Sequence, residues 1–443
     1  MFINKGMKEL QFDIITGALL KISNIVFGVA IIPLMLKFVD NATLGIWFTL
    51  LSILQWITMM DFGLAAGIRN RIAELRVGNH CKVILELTLS GLCTLFFIMF
   101  IACSLFAVFN YFLPLDFIFK NGLEDNTGQV KIVFLLVAIA ISINVVLSLS
   151  TQVLAAYEKP IYMSLSGAIT AILYFLILCV CLMLDVKGLY VLAGGYIFSL
   201  LISGVISTYK MCKLLDIKRE DVSLLKFDIN LFKGFGVKIF LIQLAALVLF
   251  SSSRLLISYS LGPEQVVYFE VAQKIIMVGL VFHSLIMNSL WSSFTVAWYS
   301  NNLTWIVDIL KKLILLMVPI LVCAILYYLF ADEVISLWMG DKYVSSSFLY
   351  FGFSIYFVLS CWSNIFASFV NGVGEINFQL YSACFSAIIN IPVSLILMSQ
   401  IGLPGAIFST CISLLPYSIV GPIEVARLIK IRKSHKNECK ASC

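Results

Sequence analysis

The chain has 443 residues, of which 61% are hydrophobic and 12% charged, with a formal net charge of +6. Soluble domains carry about 25% charged residues, so this composition excludes a water-facing globular surface and points to lipid as the solvent. The basic residues are scattered along the chain, without the concentrated basic face that nucleic acid binding needs.

The apolar residues fall in runs of about 20, enough to cross about 30 Å of hydrocarbon as helix. They predict twelve spans, near 12–36, 43–66, 83–109, 131–155, 161–184, 188–209, 236–260, 266–290, 313–331, 347–370, 378–400 and 403–426. Such runs are too long for the strands of a membrane β-barrel. The first holds Asp13 and Lys21, begins some eleven residues in and is followed by no small-residue cleavage site. That argues against a cleaved signal peptide. The end of span 2 reads MMDFGLAAGIRNRIAELRVGN: an acid, Asp61, then Arg69, Arg71 and Arg76 within a stretch that predicts a short interfacial helix. The longest outer loop, 110–130, offers only Asp116, Glu124 and Asp125 as acids. Between spans 6 and 7 lies a basic segment, Lys210 to Lys233.

With the N-terminus inside, the inner segments hold 21 Lys and Arg and the outer loops only Lys37, Lys120, Lys131, Lys187 and Lys342. Positive loops stay on the cytoplasmic side, so both termini are expected there. The twelve cysteines include no CxxC pair and none in an outer loop. Neither a disulfide framework nor a zinc site is indicated, and each reads as a soft core filler.

The two halves repeat. The stretch EKPIYMSLSGAITAILYF from Glu158 aligns with EINFQLYSACFSAIINIP from Glu375 at an offset of 217, and Gly188 with Gly405. Near an offset of 222, NATLGIWFTLLSI aligns with PEQVVYFEVAQKI. Six spans per half make the repeats parallel, an arrangement found in transporters. The expected organisation is a six-helix bundle over 1–209, a cytoplasmic linker at 210–233, a second bundle over 234–430 and a basic tail at 431–443. The fold class is thus an all-α integral membrane protein with about twelve transmembrane helices in two pseudo-symmetric six-helix bundles.

Charges at membrane depth are costly and mark function by default. The candidates are Lys21, Asp61, Arg254, Glu270, Lys274 and His283. Lys21 shares a helical stripe with Asp13, Gly17, Asn24 and Gly28; it either faces a cavity or snorkels to the inner surface. Arg254 shares one with Gln243, Ala246, Ser251 and Ser258, and Glu270 and Lys274 share another with Met277, Ser284 and Asn288. Folding spans 7 and 8 about the LGPEQ turn brings Arg254 level with Glu270. The two either neutralise each other or help bind an anion, and these roles can coexist. One acid cannot neutralise two cations, so a net positive charge remains. Asp61 is either an interfacial acid held near Arg69 or Arg71, or a coupling group for a proton or sodium ion; His283 is its repeat counterpart. Lys274 and His283 are nine residues apart, on opposite sides of a straight helix. Trp47, Tyr268 and Phe269 are candidates for stacking on sugar rings.

Three stretches carry a family resemblance. MMDFGLAAGIRNRIAEL resembles the segment after span 2 of the bacterial polysaccharide transporters, and TQVLAAYEKP their segment before span 5. SAIINIPVSLILMSQIGLPGAIFSTCIS is similar to the span 11–12 hairpin of the multidrug/oligosaccharidyl-lipid/polysaccharide exporter superfamily. The resemblance, best known from O-antigen flippases, implies two six-helix bundles around a central cavity lined chiefly by spans 1, 2, 7 and 8. It implies alternating access in the bacterial inner membrane. The substrate implied is a lipid-linked oligosaccharide, an undecaprenyl-diphosphate-linked repeat unit. Membrane lipids, a polysaccharide polymerase and a chain-length regulator are the partners implied. Under that reading Arg254, Lys274, Lys21 and Glu270 are the substrate-binding candidates, because a diphosphate needs fixed cations to cross a bundle.

Two other classes compete. A membrane polymerase or glycosyltransferase needs catalytic carboxylates or bases on a sizeable aqueous loop, whereas the 110–130 loop has only Asp116, Glu124 and Asp125 and no histidine, and the 210–233 segment has no metal-binding DxD. There is no P-loop GxxxxGK[ST], hence no ATP hydrolysis, and no cofactor or metal is expected. A drug exporter, or one for another lipid-linked glycan, is the remaining alternative. Binding cationic drugs favours buried acids, whereas the deep cations here outnumber the deep acids.

Overall fold

The computed structural model describes residues 7–77, 80–112, 115, 119, 127–157, 159, 161–217 and 236–441, nearly all of them helical. The chain divides into two compact units, Met1–Phe240 and Leu241–Cys443. The first is built from α1 (Met7–Met35), α2 (Asn41–Thr58), α3 (Leu64–Val77), α4 (Cys81–Phe112), α5 (Thr127–Ala156), α6 (Ile161–Met183) and α7 (Leu189–Leu215). The second takes most of α8 (Gly236–Leu261), then α9 (Glu264–Tyr299), α10 (Leu303–Met339), α11 (Ser347–Val373), α12 (Asn377–Ile401) and α13 (Pro404–Ala441).

Eleven of these helices are long and apolar enough to cross a membrane, and α1 contributes the shorter apolar stretch Leu19–Met35. The chain is a multi-pass membrane protein with about twelve spans. Helix ends run past the apolar runs, because a helix leaving hydrocarbon can continue in water. α7 continues to Leu215, into the stretch expected as linker, and α13 carries the basic tail as helix to Ala441. Residues 218–235 lie outside the described set. The repeat is visible in the helix starts: α12 begins 216 residues after α6, and α9 223 residues after α2.

Packing inside each unit uses small and hydroxylated residues, as expected where lipid supplies no hydrophobic drive between helices. In the N-terminal unit the Thr170 hydroxyl of α6 donates to Ser203 Oγ of α7 at 2.9 Å. In the C-terminal unit the Thr295 hydroxyl of α9 donates to the Gly372 carbonyl of α11 at 2.8 Å, and the Ser368 hydroxyl to the Met287 carbonyl at 2.9 Å. The α12–α13 turn depends on two glycines. Gly402 ends α12 at φ +68°, where only glycine is unstrained. Gly405 brings α13 so close that a methyl there would overlap the Leu397–Met398 backbone.

α3 is more than a surface anchor. Leu64, Ile68 and Ile72, spaced by four, are buried in a cluster with Ile84 and Leu95 of α4, Leu149 and Val153 of α5, and Met211 of α7. The Arg76 guanidinium donates to the Ala156 carbonyl at the end of α5 and lies 4.6 Å over the Tyr157 ring. Two of the three stretches that carry the family resemblance, DFGLAAGIRNRIAEL and TQVLAAYEKP, therefore meet in space.

Candidate functional site

The α8–α9 hairpin turns through Gly262, at φ +100°, and Pro263. This short turn sets Arg254 and Glu270 at the same level. Arg254 Nε donates to the Glu270 carboxylate in an ion pair whose side chains are only 19% and 10% exposed. Arg254 Nη2 also reaches Gln273 Oε1 at 3.4 Å. Lys274, one turn beyond Glu270, lies within electrostatic reach of both partners. Among the described residues it makes no hydrogen bond or ion pair of its own. The cluster thus holds two cations and one acid. Glu270 is satisfied by Arg254, and Lys274 carries the surplus charge. A half-buried ammonium with no hydrogen-bond or ion-pair partner among the described residues is costly to maintain.

A cavity of about 420 Å³ lies farther along the same unit, among α8, α9, α11, α12 and α13. Ala246 and Ser284, from the two polar stripes, line it. So do Tyr356, Ser360 and Asn364 of α11, Gln379 of α12, and Ser413 and Tyr417 of α13. No lining residue is charged. Gln379 Oε1 and Tyr417 OH are buried without a hydrogen-bond partner. Tyr356 connects the two regions, since it lines the cavity and lies within electrostatic reach of Arg254. The charged cluster and an uncharged cavity, apolar in most of its wall, are therefore neighbours within one unit.

The remaining candidates sit elsewhere. Lys21 is half-buried on α1; of its stripe, Asp13 lies outside the described side chains, as do Gln243 and Asn288 of the other two. Asp61 turns to the backbone: its carboxylate accepts the N–H groups of Gly63, at 3.1 Å, and Ala65. It stabilises the left-handed turn at Phe62 and Gly63 that starts α3. His283 is buried at 5% exposure and its Nε2 has no partner. α9 is one continuous helix, so His283 and Lys274 stay on opposite sides of it. Trp47 and Phe269 are fully packed, against Tyr196 and Phe353, and are core residues rather than sugar platforms. Tyr268 is paired with Tyr343, in the turn between α10 and α11.

Sequence reasoning missed Glu424. It is 6% exposed on α13, two turns past Tyr417, with Oε2 unpartnered. The signal was present: an acid inside the last apolar run, 403–426. The cavity had no such signal, because its lining comes from single polar residues on five helices.

No family model matches the chain. A Salmonella typhimurium protein whose name gives it, provisionally, as an O-antigen transporter is 24% identical over 420 residues, spanning 91% of this chain and 93% of its own. An inward-facing multidrug resistance MATE family transporter of the MOP (multidrug/oligosaccharidyl-lipid/polysaccharide) superfamily superposes with a TM-score of 0.74 at 15% identity, covering 95% of this chain and 99% of that one. A MOP superfamily transporter from Pyrococcus furiosus gives a TM-score of 0.62, also at 15% identity, over 95% and 96% of the two chains. That protein is described as having a binding pocket of reverse polarity that suggests a different function. The chain has the fold of these MOP-superfamily transporters.

Proposed function

We propose that the chain is a flippase, moving undecaprenyl-diphosphate-linked polysaccharide repeat units of the O-antigen kind. The movement runs from the cytoplasmic to the periplasmic leaflet of the bacterial inner membrane, by alternating access. The observation that carries this reading is the Arg254–Glu270–Lys274 cluster, a buried site with net positive charge in a transporter fold. A diphosphate is the anionic part of such a lipid, and its tail can stay in the bilayer. Lys21 is a further cation for the same path. Asp61 and His283 are the candidates for proton or sodium coupling, and a polymerase with its chain-length regulator would take the product. Support also comes from the name of the Salmonella typhimurium relative. A drug exporter for cations is disfavoured by the sign of the cluster.

The test is surface polysaccharide in a host strain whose own flippase gene is deleted. The chain should restore it, and Arg254→Ala should reduce it at least tenfold at normal protein levels. Arg254→Ala combined with Glu270→Ala leaves no unpaired acid and should keep protein levels normal without restoring export. Full rescue of export by the double variant would leave Arg254 as a structural partner of Glu270 only. Failure of the unmodified chain to restore polysaccharide of any type tested would remove the flippase reading.

A further inference from the structure

We infer that the uncharged cavity of the C-terminal unit is a saccharide site, which holds the first neutral sugars of the substrate while the Arg254–Lys274 cluster holds its diphosphate. This rests on the flippase reading and specifies where the glycan is recognised. At about 420 Å³ the cavity falls within the ~300–1,000 Å³ of small-molecule sites. Its wall is uncharged and mainly apolar, with Ile242, Leu249, Leu280 and Leu414, and hydroxyls and side-chain amides are set into it. That donor and acceptor set suits a neutral polyhydroxyl ligand and leaves a lipid chain's polar partners unfilled. Gln379 Oε1 and Tyr417 OH are buried without partners. A buried polar atom left unpaired is destabilising, and a ligand hydroxyl can complete each with a small side-chain adjustment. The rings of Tyr356 and Tyr417 provide aromatic surface for a sugar's apolar face.

The arrangement fits a glycan whose reducing end is its phosphate. Cavity and cation cluster adjoin through Tyr356. Gln379, Ala383 and Ser386 lie in the half of α12 nearest the α11–α12 turn, Tyr356 to Ala367 straddle the middle of α11, and Ser413 to Tyr417 lie in the half of α13 nearest the α12–α13 turn, while Arg254 and Glu270 flank the α8–α9 turn. A carboxylate-bearing sugar would meet no cation in the lining, and Glu424 lies beyond Tyr417 on α13. The site therefore selects neutral over acidic sugars.

The experiment uses the full chain in lipid nanodiscs and native mass spectrometry with three probes. These are bare undecaprenyl diphosphate, the same lipid carrying one neutral hexose or N-acetylhexosamine, and the same lipid carrying one uronic acid. The unmodified chain should bind the neutral-sugar lipid about tenfold more tightly than the bare lipid, equivalent to two or so net hydrogen bonds. The uronic acid lipid should gain nothing. Asn364→Leu with Gln379→Leu should erase the preference while bare-lipid binding stays unchanged, which also shows the variant is folded. Ser413→Ala, a smaller change, should weaken it in the same sense. Equal binding of bare and neutral-sugar lipids by the unmodified chain would overturn the saccharide site and leave the flippase reading standing. No binding of any of the three lipids would count against the flippase reading itself.

Discussion

At the scale of single residues, buried charge is the informative signal, and its meaning depends on what each charge touches. Arg254 and Glu270 satisfy each other; Glu270 removed alone leaves uncompensated cations, at a cost of about 3–5 kcal/mol, whereas Arg254 removed alone leaves Glu270 beside Lys274. Lys274 has no such partner, which makes it the residue through which an anion can be read. Asp61 shows the opposite case. An acid at the end of an apolar run reads as functional from sequence, yet its carboxylate is occupied by the Gly63 and Ala65 N–H groups. Asp61→Asn keeps an acceptor for that turn and removes the charge. It should leave protein levels and export close to normal, whereas Asp61→Ala should lose about 1 kcal/mol of stability, read as a lower midpoint of thermal unfolding. Loss of export in Asp61→Asn at normal protein levels would instead give Asp61 a coupling role.

At the scale of elements, the α12–α13 hairpin and α3 carry the fold's specific contacts. Gly405→Ala should destabilise the detergent-solubilised protein by about 1–3 kcal/mol through overpacking, because its methyl would meet backbone that cannot yield. Gly194→Ala on α7, where nothing lies within 4 Å, should be neutral or slightly stabilising. Equal unfolding midpoints for the two variants would contradict the close α12–α13 approach. The spans were legible in the sequence because apolar run length is set by bilayer thickness. The level pairing of Arg254 with Glu270 was legible because a five-residue turn fixes hairpin register. The docking of α3 was less visible, since its arginines dominate the stretch, although the Leu64, Ile68, Ile72 stripe was there to be read. The cavity could not be read at all: Ala246 and Ser284 were noticed on their stripes, but Asn364, Gln379 and Tyr417 come together only through helix packing.

At the scale of the whole molecule, the distribution of Lys and Arg decides orientation. Both termini and the 210–233 segment are proposed to be cytoplasmic. Fusions to a reporter active only in the periplasm should be silent at 220 and 443 and active at 122 and 342. Activity at 220 would invert the topology. Under the proposed function a charged headgroup crosses the bundle on fixed cations, and Lys274 is the one whose charge is uncommitted. The most direct test reconstitutes the chain in vesicles and follows transfer of an undecaprenyl-diphosphate-linked neutral sugar to the far leaflet. Lys274→Arg should retain partial transfer, because the charge persists with altered geometry. Lys274→Met, similar in length and uncharged, should abolish transfer without loss of protein. Transfer by Lys274→Met at the rate of the unmodified chain would contradict the anion site on which the account rests.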